Sequence, residues 1–75
     1  MSGQKRYHAQ GKIINARIKA KEKDGLSLDE QAGILGVSKT MLYMWMAGDS
    51  LPGRDRITNV AAFLGVDVTD ILPRG

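Results

Sequence analysis

The chain has 75 residues, which is enough for one small domain with a single hydrophobic core. It contains no cysteine, so disulfides and thiolate metal sites are excluded, and its apolar stretches are too short to span a bilayer or to form a signal peptide. The formal net charge is +3, and residues 1–23 carry seven Lys or Arg against a single acid. We therefore expect a soluble, cytoplasmic protein whose basic end either meets a polyanion or is simply solvated.

The N-terminal third of the chain predicts an arm followed by a helix. Residues 1–9 are polar and lack helical periodicity, so we predict a flexible basic arm. Ile14 and Ile18 are one helical turn apart among charged residues, which indicates an amphipathic helix 1 over residues 10–24. Gly25 supplies its C-terminal stop.

Two capping signals predict the next pair of helices. Ser27 and Glu30 have the spacing of a capping box, which opens a helix 2 that runs to about Leu35. Gly36 interrupts the helical pattern, because glycine readily adopts the positive φ of a tight turn. Ser38 can then cap helix 3.

The second half of the chain completes an all-helical pattern. Helix 3 is predicted to continue through Ala47, and helix 4 to run from about Arg54 to Leu64. A short fifth helix ends near Leu72. Residues 73–75 begin with a proline that blocks its continuation, and we expect them to be a tail or the start of a linker.

The junction of helices 2 and 3 carries the functional signal. Ala32 is small enough to let the two helices approach, and Gly36 turns the chain in one step. Leu42 and Trp45 supply the apolar inner face of helix 3. This spacing is that of a helix-turn-helix. The predicted fold class is therefore all-α: a compact five-helix DNA-binding domain over residues 10–72.

The outward face of helix 3 is expected to meet the major groove of DNA. Lys39 either donates to guanine or neutralises a phosphate, whereas Thr40 can hydrogen-bond a base or touch a thymine methyl. Met44 can make only apolar contact. The predicted base-reading residues are thus Lys39, Thr40 and Met44. Residues expected to contact the DNA backbone or lie beside it are Ser38, Tyr43, Ala47, Ser50, Arg54, Lys5 and Arg6.

The stretch between residues 14 and 72 contains several short motifs in a characteristic order. They are Arg17-Ile18-Lys19, Gly25-Leu26-Ser27, Ala32, Leu35-Gly36-Val37-Ser38, Leu42 with Trp45 and Gly48, Pro52, Ala61 with Leu64-Gly65-Val66, and Asp70-Ile71-Leu72. In this order and spacing the chain resembles the lambda-repressor-like (Cro/repressor, XRE-type) helix-turn-helix family. The resemblance implies a five-helix fold that binds a two-fold related operator as a dimer. It also implies that the start of helix 3 reads bases, while the starts of helices 2 and 4 and the loop after helix 3 hold phosphates.

The sequence departs from the family pattern at three places. Leu28 stands where a phosphate-binding Gln is common, and Gln31 stands where an apolar residue is usual. Leu28 and Gln31 share one helical stripe, so Leu28 is expected to replace part of the missing apolar packing. Lys21 and Met46 occupy the positions of a frequent Arg–Glu pair, so no ion pair can form between them.

These features together favour a sequence-specific, double-stranded DNA-binding transcriptional regulator. We favour a phage-type or bacterial repressor that binds a palindromic operator as a homodimer and occludes or contacts RNA polymerase. The dimer surface is expected on helix 5, with Val68, Ile71 and Leu72, or in a C-terminal domain outside this sequence.

Two other functions compete with this interpretation. An enzyme is disfavoured because the single histidine, the absence of cysteine and the absence of a glycine-rich phosphate loop leave no nucleophile–base set, so no catalytic residue, cofactor or metal is expected. The alternative function is a protein–protein interaction module that keeps the fold without specific DNA binding. The methionines at 41, 44 and 46, with Tyr43, would suit its partner-binding face.

Overall fold

The computed structural model describes residues 6–73, and within that range the chain forms five helices and no strand. The helices are α1 His8–Lys23, α2 Leu28–Leu35, α3 Lys39–Ala47, α4 Arg54–Leu64 and α5 Val68–Ile71. The predicted all-α class and the predicted bounds of helices 2, 3 and 4 are confirmed. The first helix differs, because α1 begins at His8, two residues inside the segment predicted to be an arm. Residues 1–5 of that predicted arm lie outside the described residues.

The two predicted caps form as expected. The Ser27 Oγ accepts a hydrogen bond from the Glu30 amide at 3.2 Å, and the Glu30 Oε1 accepts one from the Ser27 amide at 2.9 Å. The Ser38 Oγ accepts from the Met41 amide at 3.1 Å. Gly36 ends α2 in the left-handed conformation, with φ of 72°. These local signals fix where α2 and α3 begin and how sharply the chain turns between them.

Helix α1 holds the domain together. It packs against each of the other four helices, whereas the remaining close helix contacts join α2 to α3 and α4 to α5. The buried apolar residues of this shared core are Ile14, Ile18, Ala32, Leu42, Trp45, Ile57, Val60, Ala61, Leu64 and Ile71. Ile71 has no exposed surface, so the prediction that it lines a dimer surface is wrong. Its side chain closes the core instead.

The backbones of α1 and of the end of α3 cross at close range. The Tyr7 amide donates to the Gly48 carbonyl at 3.0 Å, and Gly11 is buried beneath the crossing. A Cβ placed on Gly11 would lie 2.7 Å from the Gly48 nitrogen. A Cβ placed on Gly48 would lie 2.8 Å from the Tyr7 carbonyl oxygen. This docking explains why helical structure starts before residue 10.

The fold accommodates the departures from the family pattern at positions 28 and 31 by hydrogen bonds and packing. Gln31 is fully buried, and its Nε2 donates to the Ile18 carbonyl at 3.2 Å and to the Leu26 carbonyl at 3.0 Å. These bonds tie α2 to α1 and to the loop that joins them. Leu28 is half-buried against the core, as its position on the same stripe predicted.

At the third departure, positions 21 and 46, Lys21 pairs with an aromatic ring. The Lys21 Nζ lies 4.4 Å from the centroid of the Phe63 ring, a cation–π contact that joins α1 to α4. Met46 is half-buried and packs on the hydrophobic core. The ion pair expected between helices 1 and 3 in the family is therefore replaced here by a cation–π contact between helices 1 and 4.

We expect Gly11→Ala to lower the free energy of unfolding by about 1–3 kcal/mol, because the added methyl group meets backbone atoms that cannot rotate away. Gly33→Ala is the matched control, since Gly33 lies on the exposed side of α2 and a methyl group added there would have no neighbouring atom within 4 Å. That change should raise the free energy of unfolding by up to about 1 kcal/mol through helix propensity alone. Urea denaturation of both variants measures the two effects, and a stabilised Gly11→Ala variant would contradict the crossing.

Candidate nucleic-acid interface

The third helix presents one continuous outward face. Thr40, Tyr43, Met44 and Ala47 are all exposed and stand at positions i, i+3, i+4 and i+7, which share one side of a helix. On the opposite side, Leu42 and Trp45 have at most 1% of their surface exposed, which confirms that they point inward. No acidic residue occurs in α3. The face can therefore approach phosphate-lined grooves without charge repulsion from its own helix.

Lys39 lies at the edge of this face and is paired with the second helix. Its Nζ lies 3.5 Å from the Asp29 Oδ1, and the two side chains are 49% and 77% exposed. Exposed ion pairs contribute at most about 1 kcal/mol, so the Lys39 ammonium can exchange this carboxylate for a phosphate or a guanine at little cost. Asp29 nevertheless adds a negative charge beside the predicted base-reading residue.

The predicted backbone-contacting residues fall into different environments. Ser38 is exposed, and its cap uses an oxygen lone pair, so its hydroxyl proton can still donate to a phosphate. Arg54 opens α4 and is exposed. Ser50 is different: its Oγ is buried and has no hydrogen-bond partner among the described residues. It would have to rotate outward to reach DNA.

Most of the basic residues in the N-terminal segment, residues 1–23, lie on α1. Arg6 is exposed at the edge of the described residues, and Lys5 lies outside them. The other five basic residues of the segment, Lys12, Arg17, Lys19, Lys21 and Lys23, all belong to α1. Lys12, Lys19 and Lys23 are exposed on the side of α1 that faces away from the core. Most of the positive charge is thus held on a fixed helix surface.

Arg56 is the residue of this region whose role was not found from the sequence. Its Nη1 donates to the Leu35 carbonyl at 3.3 Å and to the Gly36 carbonyl at 3.4 Å. The sequence indicates the acceptors of these bonds, because the end of any helix leaves carbonyls in need of donors. Nothing in the sequence identifies a donor that lies twenty residues further along the chain.

Between residues 6 and 73, no three His, Asp or Glu side chains are grouped so that they could hold a metal ion. In that range no helix is both long and apolar enough to cross a bilayer.

A family model of helix-turn-helix proteins matches residues 18–71, from the middle of α1 to the end of α5. The chain belongs to the XRE, lambda-repressor-like helix-turn-helix family. The family predicted from the motifs is thereby confirmed, and with it a DNA-binding transcription regulator of the XRE type. Searches among curated proteins and among solved structures found no significant match.

In this helix-turn-helix domain we expect Asp29→Asn to strengthen DNA binding about two- to fivefold, because it releases Lys39 and removes a charge that repels phosphates. The gain should shrink as salt is added, and thermal stability should fall slightly because Asp29 favours the N-terminus of α2. Fluorescence anisotropy with labelled duplex at two salt concentrations measures the effect. Unchanged affinity at low salt would show that Asp29 lies away from the DNA.

Proposed function

We propose that the protein is a sequence-specific repressor that binds a palindromic operator as a homodimer. The observation that supports this best is the exposed, acid-free outer face of α3, which is backed by the buried side chains of Leu42 and Trp45. A rigid helix with such a face fits the width of the major groove. Because its inner side is locked into the core, its outer side chains are presented at fixed positions.

Each proposed base-reading residue supplies a different chemistry. Lys39 donates to the O6 and N7 of a guanine, and Thr40 presents both a hydroxyl and a methyl group. Met44 is 39% exposed and offers apolar contact, which suits a thymine methyl. Tyr43 and Ala47 lie on the same face and are proposed to border the backbone.

The proposed backbone contacts flank this face. Ser38 precedes α3, and Arg54 opens α4 after Gly53, which provides no side chain to cap the helix. The first-turn amides of α4 are thus suited to a phosphate, and the Arg54 guanidinium adds a full charge. Arg6, together with Lys5, is proposed to extend the electrostatic contact.

Dimerisation follows from the symmetry of the proposed operator. Two copies would place their third helices in successive major grooves about 34 Å apart. With Ile71 buried, the part of the fifth helix region that can contribute is Leu72, which is 38% exposed, together with half-buried Val68. A further domain outside this sequence is the other proposed source of the interface. The bound dimer would repress by excluding RNA polymerase, in the cytoplasm of a bacterium or of a phage-infected host.

A second candidate function is protein recognition through α3. Met41, Tyr43 and Met44 are 40%, 52% and 39% exposed, and their closeness on one short helix makes them a single largely apolar patch. Flexible methionines suit a partner surface. Met46, which was predicted to join the same surface, is half-buried against the core and contributes less.

Selection of binding sites from a random duplex library separates the two functions. A repressor is expected to recover a palindromic site that it binds at least about 10³-fold more tightly than scrambled DNA. Weak binding that ignores sequence and disappears with salt would contradict the repressor and favour the interaction module.

On the selected site, Lys39→Ala is expected to relax specificity at one base pair in each half-site, at a cost of about 1–3 kcal/mol. Affinities for single-base variants of the operator check this. If the loss is instead equal for every sequence, Lys39 binds a phosphate. Thr40→Ala serves as the comparison, since it changes the same face without altering charge.

A further inference from the structure

The Arg56 side chain crosses from the first turn of α4 to the end of α2. One nitrogen of its guanidinium, Nη1, donates to two successive carbonyls, those of Leu35 and Gly36. Both carbonyls belong to the tight turn of the helix-turn-helix. These two bonds use both N–H groups of Nη1 and hold the guanidinium against the turn, while Nη2 and Nε keep their own N–H groups.

The end of α2 offers free carbonyls to such a donor. Gly36 and Val37 donate their amides back to the Gly33 and Ala32 carbonyls at 3.2 and 3.0 Å, which closes the end of α2. The carbonyls of Leu35 and Gly36, further along the chain, have no amide in the helix to accept from. A guanidinium there satisfies them and places a positive charge at the negative end of the α2 dipole.

The Arg56 hydrogen bonds lie between the two helix pairs of the fold. The close helix contacts group α2 with α3 and α4 with α5, and α1 packs on both pairs. Outside the shared core, the Arg56 bonds link the start of α4 directly to the turn that precedes α3. Arg54, two residues earlier on α4, is a proposed phosphate contact, whereas α3 carries the proposed base contacts.

We propose that Arg56 is a positioning residue that fixes the start of α4 relative to the recognition helix. This inference rests on the proposed function, because it concerns how phosphate and base contacts are held in register on one duplex. Arg56 thereby contributes to sequence discrimination without touching DNA. Without the Arg56 hydrogen bonds, the phosphate contacts of α4 and the base contacts of α3 keep their chemistry. The two sets of contacts can then shift relative to one another.

The test compares Arg56→Met with Arg54→Met on the selected operator and on scrambled DNA. Methionine keeps an unbranched stem and good helix propensity, and each variant removes one positive charge from the same turn of α4. Arg54→Met should weaken binding to both DNAs equally and reduce the slope of log affinity against log salt by about 0.9 per protomer. Arg56→Met should leave that slope unchanged and weaken binding to the operator alone, up to about tenfold.

Two binding results would overturn the proposal. If Arg56→Met reduces the salt slope and weakens both DNAs as Arg54→Met does, Arg56 is a phosphate contact. If it leaves both the slope and the operator-to-scrambled ratio unchanged, it has no part in discrimination. General destabilisation cannot imitate the expected result, because a smaller folded fraction lowers both affinities together and leaves their ratio constant.

Hydrogen exchange supplies a readout that does not depend on DNA. Arg56→Met should speed exchange of the Gly36 and Val37 amides, whereas Arg54→Met should not. The Gly65 and Val66 amides at the end of α4 form the same type of helix end, without Arg56, and serve as the internal reference. Unchanged exchange at Gly36 and Val37 would overturn the proposal. If the wild-type protein selects no site, the proposed function fails, but the exchange result still decides whether Arg56 holds the turn.

Discussion

The close passage of two backbones at Gly11 and Gly48 is the constraint on which the presentation of α3 depends. A helix of nine residues has little stability of its own, so its orientation must come from its neighbours. The crossing holds its C-terminal end, Ser38 caps its N-terminal end, and Leu42 and Trp45 fill the core between them. The outer face is left as a rigid surface whose side chains need no rearrangement to be displayed.

The interior shows how the fold keeps its stability with unusual residues at family positions. A buried glutamine is costly where its amide lacks partners. Gln31 places its two N–H groups on carbonyls of α1 and of the following loop, whereas its Oε1 is buried with no hydrogen-bond partner among the described residues. Lys21 covers an aromatic ring rather than meeting a carboxylate. At both positions the chain thus holds its helices together with side-chain chemistry that differs from the family pattern, and the helix positions do not depend on one particular pair.

Prediction from the sequence succeeded where the cause was local. Ser27, Glu30, Ser38 and Gly36 act on amides and carbonyls within a few residues, so the bounds of α2 and α3 could be inferred without knowing the fold. The burial of Trp45 followed from helical periodicity. The early start of α1, the roles of Gly11 and Arg56, and the pairing of Lys39 all depend on contacts between separate helices. No pattern within one segment contains that information, so part of the site could be found only from the fold.

The burial of Trp45 on the inner side of α3 determines what its fluorescence reports. Trp45 is the single tryptophan of the chain, and it is enclosed in the core by the same helix that exposes Met44 beside it. Its indole emission therefore reports on the solvent exposure of the core, and a duplex on the other side of the helix would leave it shielded. The protein thus carries a built-in fluorescent probe of folding that is shielded from the proposed DNA-binding surface, so folding and binding can be followed separately without an added dye.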